Sequence, residues 1–274
     1  MNISNDAFQA KSTTGSNKYR LQERHTRLID RQAHLLKDKH VLDLASHDGR
    51  WSFSAINAGA ASVTGIEILP DLVEASNENS KLFSCSDKVS FICADLIEGI
   101  QQLEHKTFDT VLCYGIFYHI TNHVELLEAI KRYINPTTAV IFDTVCYTKD
   151  GNDSLSVAYW REPFELQGCA HVSQTKCSFE QNCKSCESLN LNTIDTQVCH
   201  APGSNSYEHT YPDICNAGAP SPAALEHMCK SVFQKCHFVY QEYHSLKSFE
   251  FMEDYALRDT WATVGSRFTI AVIL

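Results

Sequence analysis

From residue 40 onward, short apolar runs alternate with stretches whose apolar positions recur three and four residues apart. His40–Ala45 reads as a buried strand, and Arg50–Ala58 as a helix behind a turn. Ser62–Ile66 is the next strand, and Leu69, Leu72, Val73, Leu82 and Phe83 mark one face of a second helix. Val89–Cys93, Thr110–Tyr114 and Ala139–Val145 supply three more strands. Between the last two of these, Leu126, Leu127, Ile130, Tyr133 and Ile134 lie at helical spacing. Strands that alternate with helices through short connections pair in parallel, so the pattern predicts a doubly wound α/β sheet of the Rossmann-like kind.

After Tyr147 the rhythm fails. Residues 148–221 hold six cysteines, many Ser and Asn, and little periodicity, so the chain is expected to carry an irregular insertion after its fifth strand. Ala223–Phe233 resumes a helical pattern behind Pro220 and Pro222, and His237–Tyr243 and Arg267–Leu274 read as two late strands. The expected organisation is an N-terminal helical arm (1–37), a core (38–147), an inserted lid or substrate segment (148–221) and a C-terminal completion of the sheet (222–274), seven strands in all.

Composition narrows the class. With 274 residues, 43% apolar and 20% charged, the chain is long enough to bury a full core and is neither disordered nor fibrous. No apolar stretch approaches the roughly 20 residues of a membrane helix, and residues 1–20 contain no secretory h-region, so the expected location is the cytoplasm, without a membrane partner. The formal charge is −10, unevenly placed: residues 1–40 carry eight Lys+Arg against four acids, and the remainder 15 against 29. An acidic body does not favour non-specific nucleic-acid binding, which needs clustered cations. The basic arm reads first as a solvated helix face, and second as a contact for a phosphate or carboxylate. Cys93, Cys113 and Cys146 fall in or beside core strands, where free thiols are expected.

In a doubly wound sheet the ligand lies across the carboxyl ends of the strands, where strand order reverses. Those ends carry Asp43-Leu-Ala45-Ser46-His47-Asp48-Gly49-Arg50, then Glu67, then Asp95, then Tyr114-Gly-Ile-Phe-Tyr118-His119. The set suits a nucleoside. Glu67 is placed to accept from a ribose diol, and Asp95 from an adenine amino group, with Ile68 and Leu96 walling the base. Gly49 lets the backbone come close and opens a helix whose N-terminal amides favour an anion. Any one of these acids taken alone reads as a helix cap or surface charge; the succession of four strand ends carries the reading.

The segments VLDLASHDGR, GIEIL, FICADL and FDTVLCYGIFYH resemble the successive motifs of the class I S-adenosylmethionine-dependent methyltransferases, over about residues 38–147. The resemblance implies that Asp43 and Gly49 belong to the loop that wraps the methionine part of the cofactor, that Glu67 binds the ribose and that Asp95 meets the adenine. Ala45, Ser46, His47 and Tyr114 join the expected cofactor contacts. Ala45 and His47 stand where the family most often has glycine, so His47 must accept an unusual backbone angle or reshape the loop. A nicotinamide dinucleotide site would need G-x-G-x-x-G after the first strand, and this chain has a single glycine there.

Methyl transfer from a sulfonium is an in-line displacement, governed by near-attack geometry. A base is needed only if the acceptor atom is protonated; His119 is the candidate, with Tyr118 orienting the acceptor, and helix capping or neutral packing is the alternative for His119. The expected acceptor is a small molecule. The stretch G-I-F-Y-H followed by an amphipathic helix also resembles the tRNA wobble-uridine-modifying branch, and a non-catalytic cofactor-binding protein is the third reading. In the insertion, Tyr159, Trp160, Arg161, Tyr207 and His209 are the residues most able to grip an acceptor, with local packing the alternative, and the 255–267 connection is expected to add a further wall. Cys177-x5-Cys183-x2-Cys186 and then Cys199-His200 contain only one C-x-x-C pair, so no metal is assigned and scattered loop thiols remain the simpler reading.

Overall fold

The computed structural model describes residues 18–103, 107–147, 155–163, 192–195, 214–244 and 265–274. Seven strands form the main sheet: β1 (His40–Leu44), β2 (Ser62–Glu67), β3 (Val89–Cys93), β4 (Phe108–Tyr114), β5 (Ile134–Tyr147) and, late in the chain, His237–His244 and Gly265–Ile273. Three further strands intervene, β6 (Ser156–Pro163), β7 (Asn192–Asp195) and β8 (Ile214–Pro220), so the late pair are β9 and β10. The main sheet runs β3-β2-β1-β4-β5-β10-β9. β1 to β5 pair in parallel, whereas β10 lies antiparallel to both β5 and β9. Strand order reverses between β1 and β4, which sets the crevice at their carboxyl ends.

The continuous apolar runs are explained by burial on both faces. On one face Leu42, Leu44, Val111, Cys113, Val140, Phe142, Ile270 and Val272 join a core with helices α5 (Leu96–Gln101), α6 (His123–Lys131) and α7 (Pro222–Phe233). On the other, the alternate residues Val41, Leu112, Tyr114, Ile141 and Ala271 pack with Leu21, Leu28, Leu36 and Trp51. Those last four come from α1 (Lys18–His25), a π-helical turn (Thr26–Asp30), α2 (Ala33–Leu36) and α3 (Arg50–Asn57). The remaining helix, α4 (Pro70–Leu82), connects β2 to β3. Ser221 caps α7, its hydroxyl accepting from the Ala224 N–H at 3.1 Å, with Pro222 at the first helical position.

Two expectations are corrected. The segment expected to be irregular contributes a second sheet, ordered β7-β6-β8, with β6 antiparallel to β8 and parallel to β7. Its strands come from distant parts of the segment, so no hairpin spacing announces them. Ile134, expected to close a helix, instead opens β5, and an irregularity in the β4–β5 register spans residues 134–139. Asn135 sustains that detour, its side-chain oxygen accepting from the Thr137 N–H at 2.8 Å. No helix among the described residues is long and apolar enough to cross a membrane.

Candidate functional site

The loop after β1 is built on three left-handed residues, Ala45 (φ 54°), His47 (φ 53°) and Gly49 (φ 78°), separated by Ser46 and Asp48. Left-handed backbone at Ala45 and His47 costs about 1–2 kcal/mol each. Of the two alternatives open to His47, the structure takes the strained angle and keeps the loop's curl. The surroundings hold that curl from several sides. Glu67 Oε2 accepts from the His47 N–H at 2.9 Å, and Glu67 Oε1 from the Leu69 N–H at 2.9 Å. From α4, the Ser76 hydroxyl donates to the His47 carbonyl at 3.0 Å and the Asn79 amide to the Asp48 carbonyl at 3.3 Å. The Ser46 N–H donates to the Ile66 carbonyl at 3.0 Å, continuing the β1–β2 ladder past the strand end.

Two glycines make the close packing beneath the loop possible. A Cβ on Gly65 would come within 2.7 Å of Ser46 Oγ and 2.6 Å of the Phe91 ring. One on Gly49 would meet Phe53 at 2.5 Å, on top of its left-handed backbone.

Charge under the loop is arranged in two steps. Asp43 is 1% exposed, and the Ser52 hydroxyl donates to its Oδ2 at 2.6 Å, tying β1 to α3. Burial pushes the Asp43 carboxyl up to about 7, outweighing the help of that hydrogen bond. Burial acts on Asp48 in the same direction, but His47 and Arg50 together prevail and hold its carboxyl below the ordinary range. Arg50 Nη2 lies 3.1 Å from Asp48 Oδ2, and His47 Nδ1 lies 3.5 Å from Asp48 Oδ1.

Asp95 has a divided role. Its Oδ1 caps α5 by accepting from the Ile97 N–H at 2.9 Å, so the helix-cap reading of this acid is realised. Its Oδ2 is buried without a hydrogen-bond partner, and burial raises the carboxyl above its ordinary value despite the amides at the helix start. Ser46 Oγ and His47 Nε2 are likewise buried and unpartnered. Three polar atoms at one sheet edge therefore lack partners in the protein, and buried polar atoms ordinarily have them. Ile68 is half-buried and Leu96 buried at the same ends.

Tyr114, placed among the cofactor contacts from sequence, is buried, and its hydroxyl donates to the Leu28 carbonyl at 2.8 Å. Its ring meets Trp51 edge to face at 5.9 Å, and the Arg24 guanidinium sits 4.9 Å from the Trp51 centroid. Arg24 Nη2 also donates to Asp143 Oδ2 at 2.8 Å, with the Asp143 side chain fully buried. The arm's cation thus meets a carboxylate of its own chain. Tyr118 and His119 follow β4 on a 3-10 turn (Phe117–His119), half-buried, with ring centroids 4.0 Å apart.

His123, which sequence reasoning passed over, joins this turn to the second sheet. It is fully buried, and its Nε2 lies 3.0 Å from the Phe117 carbonyl and 2.8 Å from the Gly218 carbonyl on β8. Two carbonyls on one nitrogen place the proton there. No local signal marks this histidine, because its second partner is 95 residues away. Tyr159, Trp160 and Arg161 fall on β6. Tyr207, His209, Cys177, Cys183, Cys186, Cys199 and His200, like residues 255–264, lie outside the described residues. Among the described residues no cluster of His, Cys, Asp and Glu is arranged to hold a metal.

Comparison with known proteins gives this edge a family. A methyltransferase-domain model matches residues 35–211. A tRNA U34 carboxymethyltransferase from Nautilia profundicola is 29% identical over 127 residues, covering 44% of this chain and 39% of that protein. A ubiquinone biosynthesis O-methyltransferase from Neisseria meningitidis serogroup C is 30% identical over 112 residues, 40% of this chain and 45% of that protein. The match therefore spans less than half the length of these curated relatives. Among solved structures, the N-terminal domain of EvdMO1 with SAH bound aligns over 99% of this chain and 94% of that one, with TM-score 0.56 and 15% identity. The MccD protein aligns over 92% and 96%, with TM-score 0.53 and 16% identity. At these identities the likeness concerns the fold. With the family model spanning most of the chain, the reversed strand order and the curled loop after β1, this chain belongs to the methyltransferase-domain family, as a class I, S-adenosylmethionine-dependent member.

Proposed function

We propose that the protein transfers a methyl group from S-adenosylmethionine to a small-molecule acceptor, and that its cofactor site is the edge formed by residues 43–49, Glu67–Ile68 and Asp95–Leu96. The observation that carries the reading is the trio of buried, unpartnered atoms, Ser46 Oγ, His47 Nε2 and Asp95 Oδ2. A nucleoside-bearing cofactor supplies polar groups of the kind they lack, so the residues present fit it. Asp95 Oδ2 accepts from the adenine amino group, between the apolar walls of Ile68 and Leu96. Glu67 serves the ribose while its oxygens brace the loop, and Ala45, Ser46 and Gly49 line the methionine part. Asp43 and Tyr114 act from behind, through α3 and the N-terminal arm.

When bound, the cofactor supplies an electrophilic methyl on sulfur, and the chain's work is to hold an acceptor in line with it. Tyr118 and His119 are the acceptor-side pair, with His119 Nδ1 or Nε2 taking a proton where the accepting atom carries one. The inserted segment 148–221 is read as the acceptor wall, because β8 is joined through His123 to the turn that bears this pair. A cytoplasmic setting belongs to the same reading, and the free thiols of Cys85, Cys93, Cys113, Cys146, Cys229 and Cys236 accord with a reducing compartment.

The choice of a small acceptor rests on charge. The chain carries −10 overall, and in its basic arm Arg24 pairs with Asp143 and Arg27 with Glu23. The tRNA reading is favoured instead by the Nautilia relative's name.

Calorimetric titration with S-adenosylmethionine and with S-adenosylhomocysteine is expected to give micromolar dissociation constants; no binding of either would overturn the cofactor site. Acceptor screening then separates tRNA from small hydroxylated or amine acceptors. His119→Ala is expected to leave the cofactor dissociation constant within about twofold and to slow turnover about 100-fold, within the range of general acid–base contributions.

A further inference from the structure

The N-terminal arm climbs along one face of the sheet toward the ligand edge. The Thr110 hydroxyl, near the start of β4, donates to the Leu35 carbonyl. Roughly 13 Å further along the strand, the Tyr114 hydroxyl donates to the Leu28 carbonyl at 2.8 Å. Arg24 Nη2 then donates at 2.8 Å to Oδ2 of Asp143, the β5 residue in register with Tyr114. Traced backward from Leu35, the arm therefore brings the Arg24 guanidinium to the carboxyl end of β4.

That guanidinium has two neighbours. The Asp143 side chain is fully buried, and the Trp51 ring, its centroid 4.9 Å away, meets Tyr114 edge to face at 5.9 Å. Trp51 stands in the first turn of α3, directly after the loop that ends at Gly49, and the next residue, Ser52, donates to Asp43. The start of α3 is thus held through Ser52 by Asp43 and through Trp51 by Arg24. The Asp143 carbonyl also accepts from the Gly115 N–H at 2.8 Å, fixing the peptide that leads into the turn bearing Tyr118 and His119. A buried ion pair is weak evidence for stability, because apolar replacement of both members is often neutral. What a planar guanidinium between a carboxylate and an aromatic ring adds is orientation. We propose that Arg24 is a positioning residue for the cofactor site: held by Asp143, it fixes Trp51 and the α3 turn behind the cofactor loop, so that arm docking and cofactor binding favour each other. This inference rests on the cofactor site proposed above and adds to it a residue of the arm that the site does not include.

The test uses the double variant Arg24→Met/Asp143→Asn, which removes both charges at nearly constant volume and leaves the Thr269 hydroxyl, 3.5 Å from Asp143 Oδ1, as a partner for the amide. Its melting temperature is expected close to that of the wild type, whereas its affinity for S-adenosylhomocysteine, measured by calorimetry, is expected to fall about tenfold, within the range of coupling between linked sites. Arg24→Lys, which keeps the charge without the planar fork, should fall between. Linkage is reciprocal, so in the wild type S-adenosylhomocysteine is expected to slow amide hydrogen exchange across residues 18–30 by a similar factor, and in the double variant to leave it nearly unchanged. Should the double variant not fold, Arg24→Lys carries the same comparison. Wild-type binding without slower exchange in the arm overturns the coupling and leaves the cofactor site standing. So does a variant that shows the same slowing as the wild type. A lower melting temperature with unchanged affinity marks a merely structural pair and overturns the proposal as well. Failure of the wild type to bind S-adenosylhomocysteine overturns the site and this inference together.

Discussion

Glu67→Ala is expected to weaken S-adenosylhomocysteine binding at least 100-fold, about 2.7 kcal/mol, measured by calorimetry. Two losses add. The ribose acceptor disappears, and so do the acceptors for the His47 and Leu69 N–H groups, each held at 2.9 Å. A buried N–H left without a partner costs about 1–3 kcal/mol, and here it would fall on a loop already strained at Ala45 and His47. The melting temperature should therefore drop as well. Glu67→Gln is expected to fall between, because its amide retains one acceptor but presents N–H to an N–H at the other. An Ala variant that binds like wild type would remove Glu67 from the cofactor site.

Asp43→Asn is expected to raise stability at pH 8 by about 1–3 kcal/mol and to flatten the pH profile. The Asp43 carboxyl titrates at about 7 in the folded protein, above its ordinary value of 3.8, because it is buried. Between those values the folded state holds a proton that the unfolded state has released. Stability therefore declines as pH rises from about 4 to about 7 and is level beyond, with a span of up to ~4 kcal/mol. Asparagine cannot ionise, and its carbonyl still accepts from the Ser52 hydroxyl, but its N–H2 needs housing, which reduces the gain. Urea denaturation at pH 5 and pH 8 measures the difference. Parallel profiles for wild type and variant would mean that Asp43 is not the group responsible.

Both residues were singled out by their positions in the sequence, yet their partners were not. Asp43 and Glu67 end or nearly end apolar runs, and a strand end in an alternating pattern points at the ligand edge whatever the rest of the chain does. Nothing local shows that Ser52 donates to one, or that the other braces the loop through the His47 and Leu69 amides. Tyr114 illustrates the same limit. Its place at the end of β4 suggested a cofactor contact, whereas packing by Trp51 and the Leu28 carbonyl draws it toward the N-terminal arm.

The main sheet was legible because its strands are apolar on both faces and its helices on one, so periodicity alone separates them. Val89–Cys93 is predicted and observed with the same bounds, and β2 differs by a single residue. The sequence by itself thus determined the α/β alternation, the acids at successive strand ends and the family resemblance. Tertiary structure alone decided that His47 adopts left-handed backbone, because the hydrogen bonds that hold it and the neighbouring Asp48 come from Glu67 on β2 and Ser76 and Asn79 on α4. It also decided that the inserted segment forms a second sheet, and that His123 fastens that sheet to the turn bearing Tyr118 and His119. The reason is common to both: these features depend on partners 20 to 95 residues apart, and the local repeat of polar and apolar positions carries no information at that range.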